Sequence, residues 1–445
     1  MGYKLRKILL RIGIVLVALI ALGLIIRAVF NYTSGKKLEN FLDQMKAEGI
    51  PVTMKDMEPE CDPRYNAAVD WKKAAASLSI EKNQRELLGQ TIEDLFLGNP
   101  LEKDVKGRIQ ELVAKNREAL NFMLDASDKS CFKSQDEWSD YDYEFEVQNL
   151  IQMIQGTRLL GVDAVMKTEE GHFKEAVNQC LAARRFLELH LQEPFLVNYL
   201  VNMACMKQVA VCLNYIVSTR KIETETLEKI LRKWDASPWT EELEWKLRSE
   251  KTSSIGASLL HLRGEIDTDW LGGNELYYWL FRPVYKNEIT WIPKVFDRLI
   301  ETVKMPYYQS RDSKELEKIL DEIPWYYKRV KMIAPNLGAL LLKRATLNAL
   351  FETARIGMAC KIYRDLNGDF PEELSELSPE ILEEIPMDPF TGKSYVYRKE
   401  DSGFMVYSVG SNQRDDGGKG TWQITQMVME KDDDWACVVK FNPTD

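Results

Sequence analysis

The chain has 445 residues, of which 45% are hydrophobic and 29% charged, with a net charge of −10. Seven of its 59 Lys and Arg residues stand in the first 37 positions, which hold no acid, so the rest carries 52 basic against 69 acidic residues, a net of −17. The length exceeds one ordinary domain, and a body this acidic excludes nucleic acid as the main partner, because phosphate binding needs a basic surface.

Lys4, Arg6, Lys7 and Arg11 precede an unbroken apolar run from Ile12 to Ile26. With Arg27 snorkelling, Ala28–Phe30 extends the apolar length to 19 positions, enough for a bilayer core of ~30 Å at ~1.5 Å per residue. A cleaved signal peptide is the alternative, but the residues after the run, Arg27-Ala-Val-Phe-Asn-Tyr, are bulky where a cleavage site needs small ones. The basic cluster predicts an N-terminus in the cytoplasm and a body outside it. The chain therefore reads as single-pass in a cell (inner) membrane, with a basic tail over 1–11 and an anchor over 12–30. No later segment is expected to span.

From residue 31 to 339 the pattern is helical almost throughout. Helices are predicted over Tyr65–Ala76 and Glu102–Ala126, followed by an Asp-, Ser- and aromatic-rich loop or partner edge over Asp128–Glu146. The clearest unit is Leu150–Trp234. A helix ends at Glu169-Glu-Gly-His172, and the next carries Phe173, Ala176, Val177, Cys180, Ala183 and Leu187 on one face. A third starts at Pro194 and a fourth at Glu223. This is a stack of α-hairpins or a plain bundle, since no fixed repeat recurs. Residues 265–310 hold ten aromatics, among them Trp270, Tyr277, Trp279, Trp291 and Phe296, suited to a core or to a binding groove.

None of the seven cysteines forms a Cys-x-x-Cys pair. Cys180, Cys205, Cys212 and Cys360 sit in apolar helical patterns and read as buried thiols. One disulfide among Cys61, Cys131 and Cys437 fits an exported body. His172 and His190 on one helix stand too far apart to share a metal, and no nucleophile–histidine pair or Gly-rich nucleotide loop is visible. The protein is expected not to be an enzyme, with a carboxylate-dependent hydrolase as the remaining catalytic alternative.

Residues 340–445 form the second part. A helix over Leu340–Arg364 shows a polar stripe at Arg344, Asn348, Glu352 and Arg355. Its apolar stripe, Leu347, Phe351, Ala354, Met358 and Ile362, is expected to pack on the sheet that follows. Gly368 stops this helix, Glu372–Leu382 reads as a short helix pair, and Asp388-Pro389 opens a type I turn. Strands are predicted over 394–398, 404–409, 422–429 and 435–441. The fold class is thus α+β: an N-terminal transmembrane helix, a large α-helical body, and a small C-terminal module of a helix plus an antiparallel sheet.

In this module Tyr363, Gly368, Phe370 and Pro371 come first. Then come Pro386, Asp388, Pro389, Gly392, Tyr395 and Tyr397, and finally Tyr407, Ser408 and Gly410 before an Asp/Gly-rich loop. In that order they resemble the globular part of the major pseudopilin of type II secretion. Along its whole length the chain resembles membrane-anchored proteins of planctomycete-type bacteria that end in the same module, a likeness that includes Asn66-Ala-Ala and Arg282-Pro283. The pattern departs from a pseudopilin in two ways: about 310 residues separate anchor from module, and the N-terminus lacks a prepilin-peptidase site.

The resemblance implies a calcium site in the loop after Tyr407, where Asn412, Asp415 and Asp416 offer oxygens. A solvated turn, with Asp and Gly setting dihedrals, is the alternative. Asp365-x-Asn367-x-Asp369 and Glu376 match EF-hand positions, but Phe370 stands where that loop needs Gly. The expected role is an extracytoplasmic scaffold or interaction protein, with protein partners on the helical body or the C-terminal module. The alternative is a secretion-associated, pseudopilin-docking component.

Overall fold

The computed structural model describes residues 2–135, 138, 143–219, 222–234, 237–265, 275–311, 313–333, 337–400, 403–418 and 435–440. It is mostly helical, with a long apolar N-terminal helix and a small antiparallel sheet. The helices run α1 (Gly2–Ala47), α2 (Ala67–Ser77), α3 (Lys82–Phe96), α4 (Lys103–Lys115), α5 (Arg117–Ser127), α6 (Tyr143–Glu169), α7 (Phe173–His190) and α8 (Leu196–Thr219). They continue with α9 (Thr224–Lys233), α10 (Ser237–Arg263), α11 (Glu275–Ile289), α12 (Ile292–Val303), α13 (Tyr307–Ser310), α14 (Glu315–Glu322), α15 (Lys328–Ile333) and α16 (Leu337–Asn367). The strands are β1 (Val396–Glu400), β2 (Gly403–Ser408) and β3 (Trp435–Lys440). The chain forms two compact units: Met1–Met57, Leu247–Glu301 and Lys314–Pro335 in one, Glu58–Lys246, Thr302–Ser313 and Asn336–Asp445 in the other.

In the first unit α1 is one uninterrupted helix of 46 residues, and its apolar portion is wholly unburied. Beyond that portion α11 runs alongside it in the same direction. The Arg27 guanidinium lies 3.3 Å from the centre of the Trp279 ring, Lys286 donates to the Asn31 side chain at 2.9 Å, and Asn287 donates to Ser34 Oγ at 2.7 Å. Lys251 pairs with Asp297 at 2.8 Å, and the Glu288 carboxylate accepts the Val330 N–H at 2.9 Å. The aromatic-rich stretch is divided: Phe296 is buried, while Tyr277 and Trp279 are exposed. Trp270 lies outside the described residues.

The second unit is built on α6, α7 and α8. Helix α8 is apolar on all sides and passes the length and apolarity test for a membrane span, contrary to the expectation of no second candidate. Yet it is largely buried, because it is the unit's central helix, with Tyr199, Met206, Cys212 and Ile216 fully enclosed. Its neighbour α6 comes closest at Gly161, where a Cβ would stand 2.9 Å from Cys212 Sγ. The hairpin over 160–187 forms as the pattern predicts, with Gly171 at φ +86° in the turn.

The helix predicted over Glu102–Ala126 is two. Asn116, 1% exposed, breaks it by turning its side chain to Ser79 instead of continuing the helix. Cys61 and Cys131 form a disulfide, choosing one pair from the three candidates. Beside it Asn66 caps α2 through the Ala68 N–H at 3.0 Å and clamps Lys133 by its N–H and carbonyl at 3.0 and 2.9 Å. The predicted loop over 128–146 gives way to α6 already at Tyr143.

Helix α16 departs from its predicted faces. Arg344 is only 4% exposed, and it donates to the carbonyls of Val303 at 2.8 Å and Met305 at 3.4 Å. The sheet packs on Ile356, Ala359 and Cys360 through Phe404 and Val406, while Phe351 of the predicted stripe stacks on Trp234 at 4.7 Å. A helix buried on several sides has no wet face, so its charged residues must find partners inside. β1 pairs antiparallel with β2, and β2 with β3. Of the predicted short helix pair only a 3-10 turn forms, at Leu374–Leu377. The strand predicted over 422–429 lies outside the described residues.

Candidate functional site

The motif residues of the C-terminal module meet one another. Phe370 packs edge-on against Phe404 at 5.0 Å, and the Tyr397 hydroxyl donates to the Pro371 carbonyl at 2.7 Å. The Tyr363 hydroxyl donates to Glu376 at 2.5 Å. The Asp388 side chain accepts the Phe390 N–H at 2.8 Å, the local turn that Asp-Pro predicts, and also the Val409 N–H at 3.2 Å. It thus ties the loop before β1 to the end of β2. Burial pushes its carboxyl above the usual range, and those hydrogen bonds oppose the rise. Gly392, at φ +67°, closes this turn under the Tyr308 ring, where a Cβ would stand 2.8 Å from ring carbons. The Tyr395 hydroxyl is fully buried, with no hydrogen-bond partner among the described residues.

The loop Ser408–Gly418 brings the three candidate calcium residues close in sequence but divides their side chains. The Asp415 carboxylate accepts from the Tyr407 hydroxyl at 2.5 Å, from the Gly417 N–H at 2.9 Å and from the Arg398 guanidinium at 3.0 Å. These three, in that order of effect with burial opposing them, hold its carboxyl below the ordinary value. Asn412 donates instead to Asp416 at 2.8 Å, and its oxygen accepts the Arg414 N–H at 2.8 Å. The loop is shaped by Gln413, Gly417 and Gly418, all at positive φ. Among the described residues no three His, Cys, Asp or Glu side chains come together as metal ligands would. The EF-hand-like residues are likewise dispersed: Asp365 accepts from Thr224, Asp369 pairs with Lys399, and Glu376 turns to Tyr363.

The sequence reading missed a set of buried cations in the second unit. Lys246 donates to the carbonyls of Leu191 and Glu193, just past the end of α7. Lys361 donates to the Val217 carbonyl in the last turn of α8, and Arg344 to that of Val303, the last residue of α12. Each puts a positive charge where a helix leaves carbonyls unpaired. Burial pulls the Lys361 amine down to about 7 and lowers that of Lys246. Around Lys246, Glu193 accepts from the Ser134 N–H and hydroxyl at 2.7 and 2.8 Å, and His190 pairs with Asn202. Lys361 stands as a lone charge after an apolar stretch, but Lys246 lies in a charged run with Glu244 and Arg248, and Arg344 follows Lys343, so the sequence does not mark those two. The arrangement joins helices and offers no exposed acid, base or nucleophile.

No family model matches the chain, and neither a curated protein nor a solved structure is significantly similar to it.

Proposed function

We propose that this chain is a single-pass, membrane-anchored scaffold or interaction protein without catalysis of its own. In this reading residues 1–11 lie in the cytoplasm, α1 crosses the cell (inner) membrane, and the helical body and C-terminal module stand outside. The observation that carries it is α1, whose exposed apolar stretch continues without a break into the helical body. A rigid continuation holds the first unit at a fixed height above the bilayer. Two further features support the orientation: the basic residues at 4, 6, 7 and 11, and the Cys61–Cys131 disulfide, which suits an oxidising compartment. The pseudopilin-like reading of the module draws support from its long helix packed on an antiparallel sheet and from the contacts among its motif residues.

The test is topological. A phosphatase that folds only outside the cytoplasm, fused after Asp445, is expected to be active, and a reporter that works only in the cytoplasm to be silent. The reverse pattern overturns the orientation. Recovery of the chain in the soluble fraction after cell breakage overturns the anchor itself.

A further inference from the structure

Outside α1, the exposed apolar residues of the first unit fall in two groups, one at Trp325, Tyr326 and Met332 and the other in the first turns of α11. Leu276 is 70% exposed, Leu280 49%, and Tyr277 and Trp279 43% each. At 100° per residue, positions 276, 277, 279 and 280 occupy one continuous arc of the helix. The opposite side is occupied: the Tyr278 hydroxyl donates to the His261 carbonyl at 2.9 Å, and Arg282 to that of Leu262 at 2.9 Å. The arc is therefore a bare apolar face on an otherwise packed helix.

Its height is set by α1. About 20 helical residues cross a hydrocarbon core of ~30 Å, and the apolar span over 12–30 places Arg27 in its last turn. Arg27 is the residue on which Trp279 sits, with the guanidinium over the indole and donating to the Trp279 carbonyl at 2.5 Å. Because α11 runs parallel to α1, its earlier residues lie toward the membrane. Leu276, three residues before Trp279, stands about 4.5 Å deeper at ~1.5 Å per residue. On α1 itself, Phe30 and Tyr32 are exposed within the next turn and a half beyond Arg27. Trp and Tyr favour this zone because their rings meet acyl chains while their polar atoms meet headgroups.

We infer that the first half of α11 is a second membrane element, seated in the outer interfacial layer of the bilayer that α1 crosses. Leu276 and Leu280 enter the acyl region, and Tyr277 and Trp279 lie at the headgroups. Arg27 is accommodated at the boundary by Trp279, which gives its charge a carbonyl and a ring face in place of water. Two contacts with the bilayer, one crossing and one lateral, prevent the first unit from swivelling about a single helix. The inference rests on α1 being the anchor.

The test is a nitroxide scan of the full chain in vesicles of phosphatidylcholine and phosphatidylglycerol at 3:1. The free thiols Cys180, Cys205, Cys212 and Cys360 are buried, so labels go to introduced cysteines, in a Cys437→Ser background. Leu276→Cys and Leu280→Cys are compared with Leu24→Cys, within the span, and Asp43→Cys, 16 residues beyond Arg27 on α1. The ratio of oxygen to nickel-chelate accessibility is expected to be several-fold higher at 276 and 280 than at 43, and below that at 24. A ratio at 276 and 280 equal to that at 43 overturns the inference. So does protection from both reagents, which would mean that a protein partner or a second copy covers the face. If 24 is itself open to the nickel chelate, the anchor reading fails, which separates the two.

Discussion

Asn116 and Ser79 hold each other reciprocally: the Asn116 Oδ1 accepts the Ser79 N–H at 2.7 Å, and its Nδ2 donates to the Ser79 carbonyl at 3.2 Å and to Leu112 at 2.9 Å. One buried amide thus ends α4 and fixes the chain entering α3. Asn116→Ala removes all three bonds, but Ser79 is exposed and can turn to water. The expected loss is about 1–2 kcal/mol of stability, read by chemical denaturation. Asn116→Asp keeps the acceptor alone and should fall between the two.

The Cys61–Cys131 disulfide closes a 70-residue separation and lies beside the Asn66 clamp. Cross-linking a loop of this length restricts the unfolded chain, for about 2–4 kcal/mol of stabilisation. Cys61→Ser with Cys131→Ser should lower the melting temperature, and a reductant should lower that of the wild type toward the same value. A double variant that melts with the oxidised protein would show that the link adds nothing.

How much of this was legible follows from what each residue answers to. The long apolar N-terminal helix, the hairpin at Gly171 and the turn at Asp388 were readable because apolar length, periodicity and turn chemistry are local. The faces of α16 were not. A stripe of Arg344, Asn348, Glu352 and Arg355 looks solvated, yet Arg344 is buried because the end of α12 needs a donor there. Such a partner is set by tertiary packing and leaves no mark in sequence spacing. The break at Asn116 was hidden for the same reason, its partner being 37 residues away. The candidate site was legible as a loop, and its three residues do lie together in sequence. What could not be read is that Arg398, on β1, supplies Asp415 with a cation from the protein itself.

That pairing makes its own prediction. Asp415 and Arg398 are each about half exposed, so their contribution is that of a surface pair with hydrogen bonds added, up to about 1 kcal/mol. Asp415→Asn should cost that much at neutral pH. Because the folded carboxyl is depressed, its stabilisation is present above the ordinary Asp pKa of ~3.9 and is lost as pH falls below it. Wild type and variant should therefore converge only as pH falls through the lowered pKa of the folded carboxyl. Calcium is tested on the same samples: the resemblance implies a higher melting temperature in millimolar calcium, abolished in the variant. Identical melting in calcium and in chelator assigns the loop to its protein contacts alone.

The buried lysines fix how stability responds to alkali. Lys207 and Lys361 are each pulled down to about 7 by burial, and Lys246 is lowered for the same reason. Unfolded, each titrates near ~10.4. Between these limits the unfolded chain binds more protons than the folded one, so stability rises with pH from about 7 upward. An opposing group follows: burial raises Cys180 and Cys205 to about 12 and Cys212 higher still, while unfolded thiols ionise near ~8.5. Above that point the unfolded chain loses protons the folded one keeps, which offsets the lysines one for one, and stability turns down as the unfolded lysines themselves begin to titrate. Denaturation midpoints measured from pH 6 to 11 should therefore rise to a maximum between about 9 and 10 and fall beyond it. Lys361→Met, which cannot titrate, should flatten the rising limb by up to about 1 kcal/mol per pH unit and move the maximum to lower pH, because the thiols then outnumber the lysines. A midpoint that falls steadily from pH 7 would mean that the lysines keep their protons, held by the helix-end carbonyls they face.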